Sequence, residues 1–571
     1  MEKQTAYKQS ERGVALVFAL LSILVLSILA LAIMTTSQSQ IWTSLNYRLT
    51  AQARYAAEAG VQETMNWLSS ASYTVPSAAD LTHYNMNTNP VTLTSNNLPV
   101  VLSSVTTASN YYDSTSTVVS GYAGAAHGSL PNESNVSYAT TAKLLRMAPA
   151  GGASWLPGTG GVVQTWQITS VASISGPRSG SVQVVETFER TTEPVFQYGL
   201  EALGTGCGAI DMAGGDYTDS YNSTTGIYSA QTPGNGGSIA TNGNVNLGKT
   251  GGLAVVNGNI GTPNPTVGAC PGNGVTDAGT KNYGQVTSIS KMTVPLPWGC
   301  KAMPCYPPSV PPLITTAQNI STQCAGGGIP GCTKGTPGCS VAPCTTIKIS
   351  PYGESSVTAN VYTLNPGNYG NLSIANSDVV HLTAGTYNVN SVNFGSIAQN
   401  YNGQFVLDSG PVVFNLVGNC GGGGCPSYTE PSGYLPTGWA NPQTAVIYGA
   451  GFAGFNVCAL GVVALKPGDA THTYCGTSST PGVTAIPSNF QLVYGGTYLV
   501  RVGGMPNAAV TYAPAASYIS PGGAVGYYGS IIASQFADTA ASPFHYDTAE
   551  QNAILQMGPL RPVGGFSWSK F

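Results

Sequence analysis

The chain has 571 residues, only 7% of which are charged, and its formal net charge is −4. Because no basic block stands out, nucleic acid is not expected as a partner. With 42% hydrophobic residues the composition is not that of a disordered chain, and the length suffices for two domains. The 72 Gly and 31 Tyr residues, together with abundant Asn, Ser and Thr, predict many short strands and tight corners.

The amino terminus joins a short polar leader to a long apolar segment. Lys3, Lys8 and Arg12 lie in the leader, which ends at Gly13, and residues 14–34 carry no charge. At ~1.5 Å per residue this segment spans roughly 30 Å, the thickness of the hydrocarbon core of a bilayer. We therefore predict one membrane span, with the basic leader on the cytoplasmic side and the bulk of the chain outside.

The apolar segment continues without a break into an amphipathic one. Residues 33–68 contain no Pro and a single Gly, Gly60, and apolar residues recur there at spacings of three to four. One helix is therefore predicted over residues 14–68, with a membrane half at 14–34 and an amphipathic half at 35–68. A helix of this composition is typical of a type IV pilin.

Two short motifs in this region resemble a known family. Arg12-Gly13-Val14-Ala15-Leu16-Val17, followed by Ala56-Ala57-Glu58-Ala59-Gly60, looks like the amino-terminal region of PilX-type minor pilins, and K-type pseudopilins of general secretion are similar. The resemblance covers residues 1–68. It implies that residues 1–13 are a leader, which a prepilin peptidase removes by cutting between Gly13 and Val14. It also implies that the helix binds other pilins and minor pilins.

The sequence departs from the pilin pattern at Phe18. Most major pilins carry Glu at this fifth mature position, where the carboxylate neutralises the amino terminus of a neighbouring subunit. A carboxylate inside a bilayer costs roughly 2.5–3.5 kcal/mol unless it is paired. A subunit with no neighbour above it has no amine to pair with, so the missing Glu favours a place at a filament tip. The alternative is that Phe18 is simply another apolar membrane residue.

The exported part divides into two predicted regions. Residues 69–195 are expected to form a pilin-like β-rich module, because 166–171 and 182–188 are strand-like and the segment between them has turn chemistry. Residues 196–571 are expected to form the head. A boundary is predicted at Glu193-Pro194.

The head contains repeats that predict a parallel β-helix. Leu364-Asn365-Pro366-Gly367-Asn368-Tyr369 recurs as Leu382-Thr383-Ala384-Gly385-Thr386-Tyr387, and the Asn-Gly segment 239–245 is echoed at 255–260. Short strands and corners with a period near 20 residues suit stacked coils with a shared core. The alternative is a β-sandwich or an array of hairpins. Four further segments are Asp219-Ser220-Tyr221-Asn222-Ser223, Tyr512-Ala513-Pro514-Ala515-Ala516, Gly529-Ser530-Ile531-Ile532-Ala533 and His545-Tyr546-Asp547. With the Asn-Gly repeats, they make residues 196–550, outside a central insertion, resemble a domain of unknown function found after PilX-like amino termini. The resemblance assigns no activity to this chain.

A segment rich in Cys, Pro and Gly, residues 262–350, is predicted to be an insertion in the head and contains seven of the twelve Cys. On the outer side of a membrane disulfides are expected. Metal binding is not favoured, because no C-x2-C pair occurs and no His adjoins these Cys. The disulfide candidates are three C-x4-C pairs: Cys300 with Cys305, Cys339 with Cys344, and Cys420 with Cys425.

Two clusters could carry chemistry, but neither forms a catalytic constellation. Asp211, Asp216 and Asp219 lie close in sequence, and we expect them to line a corner; Asp216 and Asp219 are weak calcium candidates. His545-Tyr546-Asp547 lacks an accompanying G-x-S-x-G motif, and a hydrogen-bonded corner is expected there. No enzyme activity, cofactor or bound metal is therefore predicted.

The predicted function is that of a minor pilin at or near a pilus tip, which primes assembly and presents an adhesive head to an unknown surface, glycan or protein. The chain would cross the inner membrane once before assembly and then reach the pilus or cell surface. The main alternative is a β-helix enzyme acting on polysaccharides, carried on a pilus or anchored in the membrane. A further alternative is a plain membrane-anchored surface protein. Another is that the apolar segment is a secretory signal cleaved at Ala30-Leu31-Ala32.

Overall fold

The computed structural model defines two compact units, each described below by itself. The described residues are 8–70, 72–77, 79–113, 117–130, 133–156, 159–176, 179–212, 215–226, 228–247, 254–277, 288–294, 317–335, 346–349, 357–375, 378–394, 403–418, 427–429, 439–440, 443–448, 457–458, 486–502, 507–520, 526–538, 542–564 and 567–570.

The first unit comprises Met1–Pro149, Gly161–Thr192 and Met557–Phe571. Its helices are α1 (Lys8–Ser69) and α2 (Thr117–Ala125), with 3-10 turns at Asp80–His83 and Thr106–Ala108. Its strands before the second unit are β1 (Tyr84–Asn85), β2 (Thr92–Leu93), β3 (Val101–Ser103), β4 (His127–Leu130), β5 (Glu133–Ala150), β6 (Gly161–Ile174) and β7 (Gly180–Pro194).

An antiparallel sheet in the order β3-β5-β6-β7 packs against the second half of α1. The predicted strand pair 166–171 and 182–188 is confirmed, since Trp166 pairs with Phe188 and Val171 with Gln183. Small residues let the helix approach the sheet closely: Ala56 and Ala57 are fully buried, and a Cβ on Gly60 would lie 2.4 Å from the Ser170 hydroxyl oxygen. The predicted amphipathic half of the helix is therefore the half that forms the core of this unit.

The second unit comprises Ala150–Gly160 and Glu193–Gln556. It contains α3 (Ile320–Gln323), α4 (Glu550–Ala553) and 3-10 turns at Tyr228–Ala230 and Pro487–Asn489. Its strands are β8 (Leu200–Ala202), β9 (Ile210–Asp211), β10 (Tyr217–Tyr221), β11 (Ile239–Thr241), β12 (Val245–Asn246), β13 (Val255–Val256), β14 (Asn259–Thr262), β15 (Val275–Thr276), β16 (Ser288–Lys291), β17 (Ala317–Asn319), β18 (Cys332–Lys334), β19 (Thr346–Ile349), β20 (Val357–Leu364), β21 (Gly367–Ser373), β22 (Val379–Leu382), β23 (Gly385–Asn393), β24 (Gln404–Leu407), β25 (Val412–Leu416), β26 (Ser427–Tyr428), β27 (Gln443–Tyr448), β28 (Val457–Cys458), β29 (Phe490–Tyr494), β30 (Leu499–Arg501), β31 (Asn507–Ser520), β32 (Tyr527–Asp538) and β33 (Pro543–Asp547).

Ladders of parallel strands build this unit coil by coil. The first predicted repeat stacks in its sequence register, since Leu364 pairs with Leu382. The second stacks in a different register: its Asn-Gly segments align Val245 with Ile260, but Ile239 is the residue that pairs with Ile260. Alternate side chains point into one continuous core, in which the Tyr387 and Phe414 rings stack at 6.3 Å. The predicted fold class is thus confirmed: a mainly β chain with one long amino-terminal helix and a β-helix-like unit.

The order of the coils does not follow the order of the chain. Along one ladder the strands lie in the order β16, β14, β11, β8, β32, β31, β29, β25, β23 and β21. The chain therefore enters in the middle at β8 and builds toward one end through β16. It resumes at the other end with β17, which pairs with β21, and returns to the middle at β32. We call strands β8–β16 the first stack and strands β17–β33 the second stack.

The boundary where the two stacks pair is here named the seam. There β32 pairs with β8 and β9, and β33 pairs with β10. This arrangement places the beginning and end of the unit side by side, since the Val195 amide donates to the Ile554 carbonyl at 3.0 Å. A solenoid built in chain order would instead have its two ends at opposite poles.

The chain returns to the first unit with β34 (Leu555–Pro562) and β35 (Ser567–Lys570), which both extend the sheet along β7. The units thus differ from the predicted domains in two segments. The carboxyl-terminal residues, placed in the head by sequence, pair with the first unit, and residues 150–160, placed in the pilin-like module, pack in the second unit. There Trp155 is buried and its indole N–H donates to Gln491 Oε1 at 2.7 Å.

Candidate functional sites

The membrane half of α1 has no packing partner within the described chain. Its large apolar side chains between Val14 and Met34 are 45–66% exposed, and burial begins only in the second half, at residues such as Ala53. The Ser27 hydroxyl in this half, and the Thr36 hydroxyl just beyond it, donate to backbone carbonyls one turn earlier in the helix. Among the described helices this is the one long and apolar enough to cross a membrane.

The helix extends beyond the predicted start, because it begins at Lys8 rather than at Val14. Gly13 has open space where a Cβ would lie, and Val14 and Phe18 are 55% and 66% exposed. The predicted cleavage site is therefore on an uncovered stretch of helix. Cleavage itself, and the significance of Phe18, remain predictions.

The acidic residues and the histidine singled out in the sequence meet at the seam. Asp211 lies on β9, Asp216 and Asp219 lie at or just before β10, and His545 and Asp547 lie on β33. Because β10 and β33 pair in parallel, Asp219 stands opposite His545, although 326 residues separate them in sequence. Strand pairing across the seam therefore joins the two predicted clusters.

Asp219 and His545 form a buried pair. The His545 Nδ1 and Asp219 Oδ1 atoms are 2.6 Å apart, and both side chains are 3% exposed. The Tyr228 hydroxyl donates to the other Asp219 oxygen at 2.7 Å, and the Tyr228 and Tyr528 rings lie 4.0 and 4.7 Å from the imidazole. Since both carboxylate oxygens hold side-chain partners, this geometry fixes the strands to each other.

The other predicted residues are engaged separately. Asp547 Oδ1 accepts the backbone N–H groups of Ser223 and Ala549 at 2.9 and 3.0 Å, so it does not pair with His545. Asp216 Oδ1 accepts the Ser542 N–H at 2.8 Å, and Asp211 Oδ1 accepts the Asn246 amide at 2.8 Å. Within the described part of the chain, no group of three or more His, Cys, Asp or Glu could hold a metal ion.

Two buried glutamates at the seam were not identified from the sequence. Glu201 on β8 is 8% exposed, and burial raises its pKa to about 8. Glu550 on α4 is 1% exposed and accepts a hydrogen bond from the Ser530 hydroxyl; burial, and then the charge of Asp547, raise its pKa well above the ordinary value. Burial also raises the pKa of Asp547. No motif marks Leu200-Glu201-Ala202 as buried, because burial depends on which coil stacks beside it.

Two disulfides cross-link the described part of the second unit, and neither was predicted. Cys207 bonds Cys270 across 63 residues, and Cys324 bonds Cys332 across 8. The first joins corner loops of different coils in the first stack, and the second lies in the core beside α3. The three predicted C-x4-C pairs lie outside the described residues.

A protein-family model matches the amino-terminal part of the chain. The family model named PilX N-terminal matches residues 12–62. No curated protein matches the chain. A solved structure, the competence-associated pilin ComZ from Thermus thermophilus, aligns with 91% of this chain and 97% of its own chain, with a TM-score of 0.27 and 12% identity. A similarity this low does not support a common fold. Residues 12–62 thus match a PilX-type N-terminal region, and a large, mainly β region follows them in the chain.

Proposed function

We propose that the chain is a minor pilin of a type IV pilus, assembled at or near the tip, where it helps to prime assembly and presents the second unit as an adhesive head. The observation that carries this proposal is the uncovered apolar half of α1 within a PilX-type N-terminal region. Such a helix needs a membrane or neighbouring helices around it, because exposed apolar surface of this extent is unfavourable in water.

The placement at the tip rests on Phe18. Its side chain is 66% exposed, on the same uncovered part of the helix as Val14. Without a carboxylate there, the subunit cannot neutralise the amino terminus of a neighbouring subunit. This loss costs least at the end of a filament, where no neighbour lies above the subunit. The disulfide between Cys207 and Cys270 supports export, since stable disulfides form in oxidising compartments.

If this placement holds, antibodies against the head should label the ends of filaments and leave the shaft bare. The matched variant is Phe18→Glu, which restores the carboxylate and should allow the subunit to enter the shaft as well. Labelling is counted by electron microscopy on sheared pili. Uniform labelling of the shaft by the wild-type subunit would contradict the tip placement.

For the head we propose binding without catalysis. The Asp219 and His545 side chains are closed to substrate, because both are almost fully buried and pair with each other. The outer surface offers amides instead: the exposed Asn368 accepts a hydrogen bond from the half-buried Asn388 at 2.7 Å, and Asn388 accepts one at 3.1 Å from Asn415, which is buried on the next coil. Amide groups of this kind hydrogen-bond readily to sugars and to protein surfaces.

A polysaccharide and cell-surface panel tests this second proposal. We expect the oxidised chain to bind saturably to one class of surface or glycan and to release no new reducing ends, with or without calcium. The variant Asn388→Ala should weaken that binding, while the buried-site variant His545→Ala should leave its specificity unchanged if the chain still folds. Sustained turnover that His545→Ala abolishes would instead establish the enzyme alternative.

A further inference from the structure

The seam is the closure that turns two stacks into one solenoid. Across it the Leu203 and Gly204 amides donate to the carbonyls of Ala533 and Ser534 at 2.9 and 2.8 Å, and the Phe536 amide donates to Ala209. The Tyr546 hydroxyl adds a bond to the Phe196 carbonyl at 2.8 Å. These bonds join parts of the chain more than 300 residues apart, so their formation requires the second stack to be in place.

Buried carboxyl groups are concentrated at this closure. Among the described residues eight Asp and Glu side chains are buried, and seven of them lie on or beside the strands and the helix that form the seam; Asp378 is the eighth. The seven are Glu201, Asp211, Asp216, Asp219, Asp538, Asp547 and Glu550. Five of the six elements that carry them, β8, β9, β10, β32 and β33, are the strands that pair the two stacks.

The surroundings of the two glutamates do not compensate a negative charge. Glu550 faces Asp547 on β33, the Ser530 hydroxyl on β32, and the hydroxyls of Tyr221, Tyr527 and Tyr546. Glu201 faces the hydroxyls of Tyr198, Tyr512 and Tyr546, and the dominant influence on it is burial alone. His545 is occupied by Asp219. An ionised carboxylate in such surroundings is strongly disfavoured, so both glutamates are held in the protonated form.

We propose that closure of the seam is coupled to proton uptake, so that the seam acts as a latch that holds at mildly acidic pH and loosens as the pH rises. In the open state Glu201 and Glu550 return to water and ionise with ordinary carboxyl behaviour. In the closed state they stay protonated. The strands on either side of the seam, and not the coils far from it, are the part of the head that opens.

The raised pKa values determine whether the closed seam becomes more or less stable as the pH rises. A carboxyl group whose folded pKa is raised binds more protons when closed, so stability is greatest below the ordinary carboxyl pKa and is lost as the pH rises toward the folded value. For Glu201 that window runs up to about pH 8. Between pH 5 and pH 8 this group alone should increase the opening of the seam by roughly 400-fold.

Amide hydrogen exchange of the full oxidised chain in detergent tests the latch. After correction for the intrinsic pH dependence of exchange, β8, β10 and β33 should lose protection by roughly 400-fold between pH 5 and pH 8. The strands β23 and β25, deep in the second stack, should keep theirs. Equal loss in both regions, or no loss at the seam, would overturn the proposal.

Variants of the two glutamates test whether these groups cause the pH dependence at the seam. Glu201→Gln and Glu550→Gln should make protection at the seam less dependent on pH, because a neutral amide cannot ionise. The control Glu193→Gln changes an exposed carboxyl near the start of the same unit and should leave the profile as in the wild type. A wild-type profile in both seam variants would overturn the proposal, and if either variant fails to fold, the exchange of the wild-type chain decides.

Discussion

Replacing Gly13 by Val is expected to abolish processing, so that the uncleaved precursor accumulates in the membrane and none reaches the filament. Gly13 lies at the predicted cleavage site within a PilX-type N-terminal region, on an uncovered stretch of α1 where a Cβ would meet no neighbour. A bulky residue there therefore leaves the fold intact and affects only recognition by the peptidase, which in the resembling family requires a small residue.

Immunoblots of membranes and sheared pili read out this prediction, with Gly124→Val as the matched control. Gly124 is also a helical glycine with open space around it, but it lies on α2, away from the cleavage site. Processing of Gly13→Val at the wild-type rate would show that Gly13 is not recognised. An effect of the same size in Gly124→Val would show that the change acts through folding.

The second large effect concerns the disulfide between Cys207 and Cys270. Replacing both residues by Ala should lower the free energy of unfolding of the second unit by about 4 kcal/mol, because the bond closes a loop of 63 residues. Removing the bond between Cys324 and Cys332, which closes a loop of 8, should cost about 2.5 kcal/mol from loop closure, plus a cavity term because both residues are buried.

Urea unfolding measures the stability lost when Cys207 and Cys270 are replaced. Amide exchange of β12 and β15 monitors the unfolding of the second unit. The wild-type chain treated with a reductant provides an independent comparison and should lose at least as much stability as the variant, since it loses this bond together with the one between Cys324 and Cys332. A variant as stable as the oxidised wild-type chain would show that the disulfide does not constrain the unfolded ensemble.

Local patterns predicted much of the fold, because they depend on neighbours in sequence. The uninterrupted apolar run predicted the long helix, and the strand-like segments 166–171 and 182–188 predicted a strand pair that the structure confirms. The repeat that contains Leu364 and Leu382 gave the stacking of consecutive coils. Each of these features is decided within a few tens of residues.

The order of the coils and the composition of the seam could not be predicted in this way. A repeat indicates that one coil stacks on the next, but it does not show that the last coil also stacks on the first. The pairing of Asp219 with His545, the burial of Glu201 and the bond from Cys207 to Cys270 all depend on that order or on contacts between distant loops. The two ends of the second unit lie side by side, at Val195 and Ile554. A sequence repeat contains no information about this contact.

The most direct test of the proposed function is the amino-terminal sequence of this chain recovered from purified, sheared pili. We predict that the chain is present in that fraction in small amounts and begins at Val14, which would combine cleavage after Gly13 with assembly through α1. A chain that begins at Ile33 or at Met1, or that is found in the membrane but never in the pilus fraction, would contradict its assignment as a pilus subunit.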